Sequence, residues 1–463
     1  MKISLPLLSL SVLATISSQS FAAQPIDWKQ KGTDIFKQII EIPSVSDRKD
    51  EVDRVSAHLE KLFLDAGFTN VQRKAHDGTF SLIARLPAAQ KSKKKPILLL
   101  GHMDVVDALR SDWPRDPFQF IKEDGYYYGR GTSDMKSGIA AITTTLLRLK
   151  AEGFKPSRDI IVLFTGDEET DGKGAERATT EWRDLVDAEF ALNADAGGGA
   201  FTPDGRLLGF SIQTSEKMYQ SFTFTATNKG GHSSRPMPDN AIYELAVALG
   251  KLSAHRFEPM LNDTTRAYFT HRASQESGPL GDAMRRWLAN PKDGAAADLV
   301  EADPSEVGQT RTRCVATRLT GGHADNALPQ TARAIVNCRI FPGVDAKAVQ
   351  AELQAVAGGA VKVEPHGPSV PSPASPLRAD VMKAYTDTVR SRYKGAPIVP
   401  SMSAGATDGL FFRATGMPVY GVDGGWIVTP DDERAHGRDE RIPVKAFEEN
   451  LDHWYAMVKR LAG

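Results

Sequence analysis

Pro96-Ile97-Leu98-Leu99-Leu100-Gly101-His102-Met103-Asp104 decides how this chain folds. Its apolar run shows no polar alternation, so it reads as a strand covered on both faces, as in a parallel sheet. Two further runs, 159–164 and 190–192, read the same way. Helical patterns accompany them at 50–66 and 137–152, the second with Ile139, Ile142, Leu146, Leu147 and Leu149 on one face. A last helix is expected at 444–461. Strands alternating with helices predict an α/β layer fold.

The middle of the chain has another rhythm. Strand patterns at 221–227, 313–319, 332–340 and 360–363 combine with helical patterns at 240–252 and 345–357. The order is βαββαβ, which predicts a small ferredoxin-like α+β domain. A polar, partly helical insertion at about 257–310 interrupts it, and 368–376, rich in Pro and Ser, reads as the linker back. The expected organisation is a first catalytic part at 23–213, an inserted lid domain at 214–370 and a second catalytic part at 371–463.

The 463 residues, 41% hydrophobic and 25% charged, suffice for two or three domains with real cores. A net charge of −1 leaves no global field to attract nucleic acid or acidic lipid, so neither is expected as a partner. Lys2, the apolar stretch 3–16 and then Ser20-Phe21-Ala22 have the order of a signal peptide over 1–22. The expectation is therefore an exported protein, periplasmic or secreted, with no membrane span in its mature part. Cys314 and Cys338 lie on segments read as neighbouring strands. Cross-strand disulfide geometry is demanding, so two buried free thiols are expected, with pairing left open in an oxidising compartment.

Each buried strand leads toward ionisable residues. The first ends in His102, with Asp104 two residues on and on the same face, placed to orient the imidazole. The second leads to Gly166-Asp167-Glu168-Glu169, the third to Asn193-Ala194-Asp195. Ligands of open α/β sheets bind beyond the carboxyl ends of strands, so these groups are expected at one edge. The loop Gly129-Arg130-Gly131-Thr132-Ser133-Asp134 delivers another carboxylate at a helix start, and Ala435-His436-Gly437 another histidine. One carboxylate can bridge two cations about 3.5–4 Å apart. A donor set of nitrogen and oxygen without thiolate suits zinc. Phosphate is disfavoured there, because the loop lacks Gly-Lys-Ser/Thr and Asp134 would repel it.

Taken together, Gly-His-Met-Asp-Val-Val at 101–106, Gly-Arg-Gly-Thr-Ser-Asp-Met-Lys-Ser-Gly at 129–138, Gly-Asp-Glu-Glu at 166–169 and Gly-Gly-His-Ser-Ser-Arg-Pro at 230–236 resemble the di-zinc metallopeptidases of the aminoacylase, carboxypeptidase G and succinyl-diaminopimelate desuccinylase group. The insertion makes the chain most similar to the carboxypeptidase S-like branch. The resemblance implies a mixed sheet flanked by helices with an inserted lid, and two zinc ions, for which cobalt or manganese could substitute. It implies His102, Asp134 and Asp195 on one ion and Asp134, Glu169 and His436 on the other. Glu168 would be the general base and Asp104 the orienter of His102. His232 would stabilise the oxyanion, within its own chain or across a homodimer formed through the lid. Asn326, Arg339, Gly405 and Thr407 would contact substrate.

The implied reaction is hydrolysis of peptide or N-acyl amide bonds, with Arg339 favouring substrates that carry a free carboxylate. Carboxypeptidase or dipeptidase activity is expected first. N-acyl amino acid hydrolysis, aminopeptidase activity and a non-catalytic peptide-binding relative are the alternatives. Two departures from the family bear on this: Ala196 stands where relatives often carry Glu, and Ala406 where they carry Gly.

Overall fold

A computed structural model describes Met1 and residues 25–463. The expected signal peptide falls outside the described residues. The longer strands, in chain order, are β1 (Asn70–His76), β2 (Thr79–Leu86), β3 (Ile97–His102) and β4 (Ile160–Thr165). Then come β5 (Phe190–Phe201), β6 (Leu207–Glu216), β7 (Met218–Thr227), β8 (Arg313–Gly321) and β9 (Thr331–Ile340). The last are β10 (Val361–His366), β11 (Ile398–Ser403) and β12 (Val419–Val428).

Eight strands form one mixed sheet in the order β1-β2-β4-β3-β5-β12-β6-β11. Its centre is parallel: β3 pairs in parallel with both β4 and β5, and β5 with β12. Every residue of β3 and β4 is buried, as their unbroken apolar runs require. Helices Trp28–Ile40, Lys136–Ala151 and Val444–Ala462 cover one face, packing Phe36, Ile142 and Trp454 into the main core. The expected bounds of β3, β4 and the helices Lys136–Ala151 and Val444–Ala462 agree with the structure to within two residues, whereas helix Trp28–Ile40 and strands β1, β2, β6, β11 and β12 were not among the expected elements, and β5 differs. That strand runs on to Phe201, so Asp195 lies within it and not beyond it. The small residues after Asp195 explain the extension: a Cβ on Gly199 would meet the Phe210 ring at 2.6 Å, so only bare backbone can lie between β6 and β12.

The βαββαβ segment forms a separate four-stranded antiparallel sheet, β8-β9-β7-β10. Helices Ala241–Ala254 and Ala346–Ala357 share its core with Phe222, Phe224, Val336 and Leu353. The thiol expectation is overturned here. Cys314 and Cys338 are directly opposite on β8 and β9 and form a disulfide. Antiparallel register brings their Cα atoms to 4.1 Å, and two free thiols there would only crowd one another. The insertion folds into helices Asp263–Gln275, Gly278–Ala289 and Gly294–Glu301 around Trp287, Phe269 and Met284. Full burial of a side chain such as Phe269 contributes about 1.5–3 kcal/mol. Helix Asp263–Gln275 packs against β11, so the insertion sits on the edge of the large sheet.

Candidate metal centre

β3 ends in His102, the turn after β4 carries Glu168 and Glu169, and Asp195 lies in β5. Those three strands are neighbours, so their side chains converge. Asp134 arrives from the glycine-rich loop just before helix Lys136–Ala151, and His436 from the turn after β12. The two oxygens of Asp134 face opposite ways. Oδ1 lies 3.2 Å from His102 Nε2, and Oδ2 lies 3.1 Å from His436 Nε2. Asp195 Oδ1 is 3.6 Å from His102 Nε2, and Glu169 Oε2 is 3.1 Å from His436 Nε2. Two groups of donors result, His102–Asp134–Asp195 and Asp134–Glu169–His436, each with its atoms within 4.8 Å of one another. They share Asp134 through different oxygens. A third grouping joins His102 to Glu168 and Glu169, but Glu168 lies farther from His102, at 4.0 Å.

The cluster fits metal ions on several grounds. His102 is buried and its Nδ1 donates to the Asp104 carbonyl at 3.0 Å, which leaves the Nε2 lone pair facing the carboxylates. That Nε2 has no hydrogen-bond partner among the described residues. Four carboxylates crowd together; His102 and His436 overcome burial to hold Asp134 below the usual carboxylate range, while the charges of the other three are poorly tolerated without a cation. Burial pushes Glu168 well above the usual carboxylate range, Glu169 to about 7 and Asp195 to about 6. Burial opposes charge on His102, yet Asp195, Asp104 and Asp134 outweigh it and raise its pKa. Hydrogen bonding to Asp134 raises His436 to about 9. Mutual repulsion of this kind is what a bound cation relieves.

Asp104 does more than stand behind His102, and its part differs from the one expected. Its carboxylate is 3.6 Å from His102 Nδ1, farther than its own carbonyl. It accepts the backbone N–H of Glu168 at 3.2 Å, that of Glu169 at 3.1 Å and the Ser46 hydroxyl at 2.9 Å. One buried carboxylate therefore fixes the turn that carries both glutamates. Glu440 does the same for the other loop. Its fully buried carboxylate accepts from the backbone of Gly131, Ser133 and Asp134 and from the Arg130 guanidinium. Glu440 was not singled out in the sequence, although it lies in the same short stretch as His436.

A cavity of about 630 Å³ opens on the cluster. Glu168, Arg339, Gly405 and Thr407 line it together with Asp134, Asp195, Glu169 and His436. The guanidinium of Arg339 lies 4.8 Å over the Tyr219 ring and has no carboxylate partner among the described residues. Thr407 differs from expectation: its hydroxyl is turned inward and donates to buried Glu216 at 3.0 Å. It shapes the loop, and Glu216, itself paired with Arg413, anchors it. His232 and Asn326 stand apart. They are exposed, are linked through Ser233, whose N–H donates to the Asn326 carbonyl, and do not line the cavity.

Comparison with known proteins fits this arrangement. The model for peptidase family M20/M25/M40 matches residues 98–460. The N-fatty-acyl-amino acid synthase/hydrolase PM20D1 of Xenopus tropicalis is 29% identical over 89% of this chain and 82% of its own length. A probable carboxypeptidase S-like protein of Dictyostelium discoideum is 28% identical over 79% and 71%, and rat aminoacylase-1A 29% identical over 79% and 80%. Among solved structures, the M20 metallo-carboxypeptidase Sso-CP2 of Sulfolobus solfataricus superposes with a TM-score of 0.69 at 19% identity, over 93% of this chain and 98% of its own. A dinuclear metal-binding M20 peptidase of Bacillus subtilis, YXEP, gives 0.62 at 13% identity, over 94% and 98%.

Proposed function

The chain belongs to peptidase family M20/M25/M40, and on that premise we propose a two-zinc hydrolase that releases an amine product bearing a free carboxylate. It is a metal-dependent hydrolase of peptide or N-acyl amide bonds. The observation that carries the finer reading is Arg339, a cation without a carboxylate partner among the described residues, lining one cavity with both donor groups. A guanidinium so placed suits a bidentate grip on a substrate carboxylate.

When bound, the two ions supply Lewis acidity, lowering the pKa of water and drawing charge from the amide carbonyl. His102, Asp134 and Asp195 would hold one, and Asp134, Glu169 and His436 the other. Glu168 is needed in neither set. It is therefore free to take a proton from the attacking water and return it to the departing nitrogen. Asp104 fixes its backbone while it does so. Zinc is favoured by the borderline nitrogen and hard oxygen donors, and cobalt or manganese would serve the same set.

The relatives' names favour a second reading, in which the amide is that of an N-acyl amino acid. One screen separates them: dipeptides, N-acyl amino acids and C-terminally amidated controls, each assayed with zinc-loaded protein. Loss of turnover on amidation supports the carboxylate grip, and equal turnover refutes it.

Two more parts of the reading concern assembly and place. His232 lies outside the cavity, so a role at the oxyanion requires closure of the small sheet or a second copy of the chain. A homodimer through the lid is supported by the edge strand β8, with Val315 and Leu319 exposed, beside helix Ala241–Ala254, with Tyr243 and Val247 exposed. Light scattering that returned a monomer mass would refute it. Export is supported by the disulfide, since such bonds persist in oxidising compartments, and by the charged-apolar-small order of 1–22.

A further inference from the structure

Asp195 stands where β5 has lost its neighbours' ladders. Pairing with β3 ends at Asn193, opposite Leu100. Pairing with β12 sets Gly421 opposite Asn193 and resumes only with Asp423 opposite Gly197. Among the described residues, 194–196 thus have no register partner, although Asp195 supplies a donor atom to the cluster.

Side chains replace the missing ladder. Asn193 Oδ1 accepts the Asp195 N–H at 3.1 Å. Asn193 Nδ2 donates to the Thr407 hydroxyl oxygen at 3.2 Å. That hydroxyl donates to Glu216 at 3.0 Å, and the same carboxylate oxygen accepts the Thr407 N–H at 3.0 Å. Asn193, Thr407 and Glu216 are all buried, and Arg413 balances the charge of Glu216. Every donor meets an acceptor, so the bonds run in one direction from Asp195 to Glu216. A flipped Asn193 amide would set its NH2 against the Asp195 N–H, so the network also fixes which way the amide faces. The next residue, Asp408, takes the Thr165 hydroxyl at the end of β4, which holds the loop on its other side without Thr407.

We propose that Asn193 and Thr407 are positioning residues for one ion only, the one assigned to His102, Asp134 and Asp195. The proposal rests on the two-ion reading above. Asp134 and Glu169, on the other ion, have their backbone N–H groups held by Glu440 and Asp104. The relay through Thr407 reaches Asp195, which belongs to the first group and not to the second. A hydroxyl in the loop beside the Arg339 cavity therefore serves the metal centre, with Glu216 as its anchor.

Zinc titration against a fluorescent chelator tests this by resolving the two equivalents. Thr407→Val keeps the size of the side chain, removes the hydroxyl and leaves Asn193 Nδ2 without its acceptor. It should weaken one equivalent by about 10–100-fold, the usual cost of a lost supporting partner, and leave the other at wild-type affinity. Thr407→Ser keeps the hydroxyl and should restore both. Asn193→Leu breaks the relay from its other end and should weaken the same equivalent as Thr407→Val. Asp195→Ala identifies that equivalent. Thr407→Val added to Asp195→Ala should cost it nothing further, because residues that act through one another are not additive. Equal weakening of both equivalents, no weakening in either the valine or the leucine variant, or a serine variant as weak as the valine one overturns the proposal. So does an additive double variant. Wild-type protein that takes up a single equivalent would refute the two-ion reading instead. The relay would then stand or fall on whether that equivalent depends on the Thr407 hydroxyl. Uptake of none overturns both.

Discussion

Glu440 and Asp134 are 306 residues apart in the chain, yet the Glu440 carboxylate accepts the backbone N–H of Asp134 at 2.9 Å. Asp134, whose two oxygens serve the two donor groups, is thus held through its backbone by a buried acid that supplies no donor atom to either. Glu440→Ala should therefore weaken metal binding by about 10–100-fold, the usual cost of losing a supporting partner. Competition against a fluorescent chelator measures this. Native affinity in the variant would show that the loop stands without Glu440.

Glu168→Gln should abolish turnover, by at least about 10²–10⁴-fold, while both ions stay bound. Elemental analysis of the purified variant is the check. Loss of an ion would make Glu168 a ligand, as its 4.0 Å approach to His102 would allow.

Asp134→Ala should cost more metal than the loss of any other single donor. It removes an oxygen from each group and the negative charge between them. A variant that titrates with two equivalents at native affinity would refute the bridging role.

Much of this centre was legible in the sequence, because strand ends are. An unbroken apolar run such as 97–100 announces a buried strand, and whatever polar residue follows must emerge at the sheet's edge. His102 and Glu168 were found that way. Asp195 was found too, although its strand continues past it. Glu440 escaped because its value lies in three backbone N–H groups of a loop far away in the chain, and no local pattern records them. Thr407 was read as facing substrate because its loop resembles a substrate-binding loop of the family, but buried Glu216 turns its hydroxyl inward. The disulfide depended on strand register, which residue types alone do not set.

Arg339→Lys should raise KM for carboxylate-bearing substrates by about tenfold or more, with both ions retained, because an ammonium cannot copy the guanidinium fork. Amidated substrates should show little further loss in the variant. An equal loss on free and amidated substrates would assign Arg339 a merely structural part.

His453 gives a pH prediction remote from the centre. Its Nε2 donates to the Val422 carbonyl at 2.9 Å and its Nδ1 accepts from Arg392 at 3.0 Å, so the buried ring is neutral. Burial, with Arg392 nearby, holds its pKa well below 6.5. Below pH 6.5 the unfolded chain therefore binds a proton that the folded chain refuses. Stability from this residue is complete above that pH and is lost as pH falls toward the folded pKa, by up to about 1.4 kcal/mol per unit. The stability gap between wild type and His453→Gln should narrow from pH 7.5 to 5 in urea titrations. Parallel curves would show that His453 does not titrate in this way.

The donors come from both sides of the small sheet, with His436 entering 267 residues after Glu169. An ion held by Asp134 and Glu169 before that span and by His436 after it would act as a clasp, fastening the last part of the large sheet to the first across everything inserted between them. Folding and metal loading then become one equilibrium. At a hundredfold excess of free ion over Kd, that clasp adds about 2.7 kcal/mol that the stripped chain lacks. Scavenging metal from the surroundings would therefore do more than silence the enzyme. It would loosen the segment around His436 first, and present it to proteases.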